Sequence, residues 1–71
     1  MWTVSIQESS AVRQVDYEPD TRTMTVYFST ARTGYEFEGV PESVAEEFVL
    51  AESHGRYYNQ HIRGKYQQKA A

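Results

Sequence analysis

A chain of 71 residues with no cysteine and a net charge of −3 has room for one small core and has neither disulfides nor thiolate metal ligands to reinforce it. No apolar run reaches the roughly 18 residues of a membrane span, and the opening MWTVSIQESS lacks a basic segment followed by an apolar one, so the expectation is a cytoplasmic chain with no membrane partner. The charge is uneven. Residues 1–52 carry three basic residues and all ten acids, a net −7, whereas residues 53–71 carry Arg56, Arg63, Lys65 and Lys69 with no acid, a net +4.

In chain order, Trp2, Val4 and Ile6 alternate with polar neighbours, the period of a half-buried strand at a sheet edge. Ser9-Ser10 breaks that pattern, and a second strand is expected over Val12–Tyr17 with an irregularity near Arg13-Gln14. Glu18-Pro19-Asp20-Thr21-Arg22 reads as a turn, because proline presets φ for its first central position. Thr23–Ser29 then alternates cleanly, with Met24, Val26 and Phe28 on one face. After a turn over Thr30–Gly34, Tyr35-Glu36-Phe37-Glu38 returns with its aromatics on one face and its acids on the other.

Pro41 fits the first position of a helix, where a missing N–H costs nothing. That helix is expected to run to about Glu52, with Val44, Phe48 and Ala51 inward and Glu46, Glu47 and Glu52 outward. Gly55 is expected to stop it as a left-handed residue. A second short helix is expected from Arg56 to about Ile62, with Tyr58 and Ile62 inward, Gly64 ending it and residues 67–71 as a frayed tail. The fold class is therefore α+β: an antiparallel meander of three or four strands covered by one main helix, with a short second helix after it. One domain spans residues 1–71, its core about residues 6–66.

The stretch Ala51–Tyr66, AESHGRYYNQHIRGKY, concentrates both histidines, three of the six tyrosines and three of the seven Lys/Arg residues around one acid, Glu52. Seven residues separate His54 from His61, about 10 Å along one helix at 1.5 Å per residue, and no third ligand lies in the stretch, so no metal or other cofactor is expected. Nor does any nucleophile have a base and an orienting acid, and the chain is read as not an enzyme. Glu36 and Glu38 on one strand face read as protection of an edge. Tyr35 and Tyr58 are expected to be mostly buried, leaving Tyr57 and Tyr66 beside Arg56, Arg63 and Lys65 as an exposed platform. Aromatic faces beside cations suit single-stranded RNA, where bases stack and phosphates pair. On this reading Arg56, Arg63 and Lys65 meet phosphates, Tyr57 or Tyr66 stacks, and Asn59, Gln60 and His61 meet base edges or phosphate oxygens. The same composition suits a protein interface, so a protein–protein adaptor is the alternative.

Taken together, Ser9-Ser10, the YEPDTRTM hairpin, GYEF, GVPESV and AESHGRYYNQHIRGKY closely resemble the KTSC domain over about residues 6–66. That module is named for the C-terminus of some lysyl-tRNA synthetases and also occurs as a stand-alone bacterial or phage protein. The resemblance maps the family's signature onto Tyr35, Phe37, Ser53, Gly55, Tyr57, Tyr58, Asn59, Ile62, Arg63 and Tyr66. It implies no established activity; RNA binding, to an RNA or a tRNA, is what has been suggested for the family. The chain departs from the pattern at Phe37, the signature's second aromatic, where no hydroxyl is available to bond, and in the Ser29–Gly34 turn, which lacks the usual double glycine.

Overall fold

The structure is a computed structural model that describes residues 1–7 and 9–70. Five strands form one antiparallel sheet in sequential order: β1 (Trp2–Ser5), β2 (Val12–Glu18), β3 (Thr23–Phe28), β4 (Tyr35–Glu38) and β5 (Gln67–Ala70). Between β4 and β5 the chain makes helix α1 (Glu42–Leu50) and a shorter helix α2 (His54–Tyr57), which runs on into a π turn over Tyr58–Ile62. The α+β meander under a main helix is as expected from the alternating segments. The second strand also carries its irregularity where the pattern placed it, between Val12 and Gln14.

Side chains directly opposite across a ladder share a face, so the register sorts the sheet. Val15 pairs Val26, Tyr17 pairs Met24, and Met24 pairs Phe37; all five are fully or almost fully buried, and with Val12, Val40, Ala45, Phe48 and Ile62 they form the core. Burying side chains of this size contributes about 1.5–3 kcal/mol each before chain entropy is subtracted. The Tyr17 hydroxyl crosses this core to donate to the Val40 carbonyl at 2.6 Å, which satisfies its one polar group and ties β2 to the segment entering α1. The opposite face is polar, with Thr3, Asp16, Thr25, Glu36 and Lys69 in one cross-strand row.

Three expectations need correction. Residues 67–70, read as a frayed tail, are β5, paired to β4 from Glu38↔Gln67 to Tyr35↔Ala70; Ala71 lies outside the described residues. They bury nothing, so no periodicity marked them, and their place is fixed by the backbone ladder and by Lys69 reaching Glu36 and Glu38 at 3.9 and 3.7 Å. Helix α1 ends at Leu50, not Glu52, through an extended Ala51. Gly55 is not its left-handed stop: the glycines with positive φ are Gly39 and Gly64, and Gly55 lies inside α2, which begins at His54, two residues before the expected start. The second helix starts earlier because Ser53 caps it, its Oγ accepting from the Arg56 amide at 3.3 Å, as a capping serine does. The π turn ends at Ile62 through an extended Arg63, and Gly64, expected to break it, takes the tight turn that follows at φ 76°.

Candidate functional site

α2 and the π turn are fastened to the sheet by the aromatic signature. Tyr58 meets Phe28 and Phe37 edge-on, with centroids 5.0 and 5.9 Å apart, and Tyr35 lies 5.8 Å from Phe28. Ile62 closes the arrangement fully buried. Tyr35, Phe37, Tyr58 and Ile62 therefore act by packing, and Tyr35 and Tyr58 are mostly buried against the core, as expected. The Arg63 amide donates to the Tyr58 carbonyl at 2.8 Å, a five-residue reach that defines the π turn.

Outward from this packing, Arg56, Asn59, Gln60, His61, Arg63 and Lys65 are all exposed. Among the described residues none of Arg56, Arg63 and Lys65 forms an ion pair, whereas Lys69 is held by Glu36 and Glu38. The basic segment thus leaves three of its four exposed cations without an ion pair among the described residues. β5 returns the fourth to the acidic body.

Tyr57 is not the open platform its neighbours suggested. Its ring stacks on Phe48 at 5.7 Å with an interplanar angle of 29°, and His61 packs on it at 4.5 Å. The hydroxyl donates to the Glu47 carboxylate at 2.9 Å. Burial first, and then that bond and the nearby negative charge, push its pKa up to about 12. Tyr57 therefore couples α2 to α1 and sets the position of His61, and a base could not replace both its neighbours without loosening that junction. Tyr66 is half-buried and packs against the core. His54 is oriented by the Val49 carbonyl, 3.2 Å from Nε2, which requires the proton on that nitrogen.

A cleft of about 460 Å³ separates the β1–β2 connection from the α1–α2 junction, lined by Ser9, Ser10 and Ala11 on one side and Ala51–Gly55 on the other. Gly55 is what lets the two sides approach: a Cβ there would sit 3.3 Å from the Ala11 Cβ. Ser9 shapes the facing loop, its Oγ accepting from the Ala11 and Val12 amides at 3.1 and 3.2 Å. A shallower hollow of about 190 Å³, lined by Ala51, Ser53, Arg56, Tyr57 and Gln60, shares Ala51 and Ser53 with it. Ser9, Ser10 and Ser53 line the cleft; they carry part of the family resemblance, and Ser9-Ser10 interrupts a strand pattern, but the expected contact surface did not include them.

A family model of the KTSC domain matches residues 8–66. Two proteins described as lysine–tRNA ligases are similar: that of Nostoc punctiforme is 39% identical over 59 residues, 83% of this chain, and that of Nostoc sp. is 40% identical over 59 residues, also 83% of this chain. The chain covers only 10% of the length of each of these ligases. An uncharacterised protein of Stutzerimonas stutzeri is 36% identical over 53 residues, which are 75% of this chain and 73% of that protein. The crystal structure of a KTSC domain protein from Yersinia pestis superposes with a TM-score of 0.89 at 28% identity, covering 99% of this chain and 96% of the other. The family match over most of the chain and the shared fold agree, and the chain belongs to the KTSC domain family.

Proposed function

We propose that this chain is a non-enzymatic RNA-binding module whose contact surface is the exposed end of α2 and the π turn. The observation that carries the reading is the display of Arg56, Arg63 and Lys65, exposed and without ion pairs among the described residues, on a chain whose remainder is acidic. These three groups meet phosphates. Asn59, Gln60 and His61 beside them supply hydrogen bonds, and the hollow past Arg56 and Ser53 admits a ribose or a base edge. Because Tyr57 is engaged by Phe48, His61 and Glu47, recognition rests on backbone charge and shape more than on stacking at that ring. Tyr66 remains the aromatic with a partly open face. The similarity to a stretch of lysine–tRNA ligases supports tRNA as the first ligand to test.

Charge reversal tests this directly. Arg63→Glu with Lys65→Glu should weaken binding of tRNA and of unstructured RNA alike, by about tenfold or more, since each lost phosphate contact removes a sequence-independent contribution. Equal binding by parent and variant would remove the basic face from the account. A protein adaptor acting through this same face would lose its partner on the same substitutions yet show no RNA binding in the parent.

A further inference from the structure

The two edges of the sheet are unlike. β5 offers Gln67, Gln68, Lys69 and Ala70, a polar strand with a charge, which is a common protection against unwanted pairing. β1 has no such protection. Trp2–Ser5 carries neither charge nor proline.

In an antiparallel pair, successive residues turn their N–H and C=O alternately toward the partner and away. The Ile6 amide donates to the Arg13 carbonyl at 3.0 Å. With the register Trp2↔Tyr17 and Val4↔Val15, Trp2, Val4 and Ile6 therefore bond to β2, and Thr3 and Ser5 present their N–H and C=O groups outward. Alongside runs a groove of about 270 Å³ between β1 and α1, lined by Trp2, Val4, Glu46 and Val49. Glu42 and Glu47 lie on the same helix and are exposed, Glu42 accepting from the Trp2 indole at 3.0 Å.

We propose that the β1 edge is a docking site for an extended, basic segment of a partner protein. The segment adds a sixth strand, bonding to Thr3 and Ser5. The side chain opposite Val4 is apolar and enters the groove over Val4 and Val49, and the side chains two residues to either side, which share that sheet face, are the lysines or arginines that meet the acidic helix. Charge complementarity selects this occupant. A second copy paired β1 to β1 would bring two acidic helices side by side, and like charges disfavour that arrangement. The mode is strand addition, in which main-chain bonds give affinity and alternate pockets give specificity. It uses none of Arg56, Arg63 or Lys65, so it stands or falls apart from RNA binding.

Trp2 is the single tryptophan and lines the groove, so its emission reads docking. The full chain is titrated with a capped peptide of about seven residues, Thr-Lys-Thr-Val-Thr-Lys-Thr, whose valine and lysines share one strand face, and with one carrying glutamate in place of lysine. The lysine peptide should give a saturable change in Trp2 emission and bind about tenfold more tightly than the glutamate peptide. Thr3→Pro removes an outward N–H without touching the ladder to β2 and should weaken the lysine peptide about fivefold to tenfold. Glu46→Lys leaves the backbone intact and should weaken it about fivefold, so the test survives if the proline variant fails to fold. No saturable change, equal affinity for the two peptides, indifference to Glu46→Lys, or a dimer by sedimentation at the titration concentration would each overturn the proposal.

Discussion

Gly55 and Tyr57 carry the finest distinctions in the structure. Gly55 was legible as a special position, but its reason was not: the sequence placed it between two helical patterns, where a left-handed stop is the ordinary explanation, and only the fold brings Ala11 against it. Its helical backbone would accept alanine, a gain of up to about 1 kcal/mol in propensity. Against that, Ala11 is pinned by Ser9 Oγ on its amide and by the Ser29 amide on its carbonyl at 2.9 Å, so it yields poorly to a Cβ at 3.3 Å, and overpacking costs about 1–3 kcal/mol. Gly55→Ala should therefore lower the unfolding free energy by about 1 kcal/mol, and adding Ala11→Gly should restore most of it. A stabilised single variant would show that the contact relaxes freely. Tyr57 gives a pH signature. Its pKa is raised from 10.0 to about 12 in the fold, so the neutral phenol is favoured there. The associated stability is complete below pH 10 and is lost as pH rises toward 12, because the unfolded chain gives up its proton first. Thermal unfolding across that interval should fall less steeply in Tyr57→Phe than in the parent. Identical slopes would mean that burial of the Tyr57 hydroxyl does not hold it neutral in the fold.

Elements were readable where burial imposed a period and silent where it did not. β1 to β4 alternate because one face meets α1, and α1 shows its inward stripe for the same reason. β5 exposes every side chain, so QQKA carries no pattern, and its place depends on backbone groups of β4 distant in sequence. The π turn was likewise illegible, since Tyr58 and Ile62 at a spacing of four fit an ordinary helix equally well. In the site, the exposure of Arg56, Arg63 and Lys65 followed from charge alone, but the diversion of Lys69 and the covering of Tyr57 depend on contacts no local pattern reports. Truncation after Tyr66 tests β5. Removing its edge ladder and the Lys69 pairs should lower the melting temperature by roughly 5–10 °C, as a loss of about 1–2 kcal/mol does in a chain this short. A melting curve that does not move would return these residues to the status of a tail.

At the scale of the whole molecule, charge asymmetry sets the terms of binding. A net −7 over residues 1–52 repels any strand that strays from the three exposed cations, so short or compact RNAs should bind better than long flexible ones. Glu52, in the cleft beside Ser53, is the nearest such obstacle in sequence, and Glu52→Gln should raise RNA affinity about twofold to fivefold; an unchanged affinity would place the bound strand away from the cleft. Three phosphate contacts are enough for salt-sensitive, weak association, and this is where the reading is most exposed to refutation. The most direct measurement is a titration of single-stranded RNA and of tRNA over a series of salt concentrations. The account predicts log K falling linearly with log salt at a slope of roughly −2 for the single strand, from three contacts at about 0.7 each. A slope near zero, or no binding at about 50 mM salt with tens of micromolar protein, would contradict it.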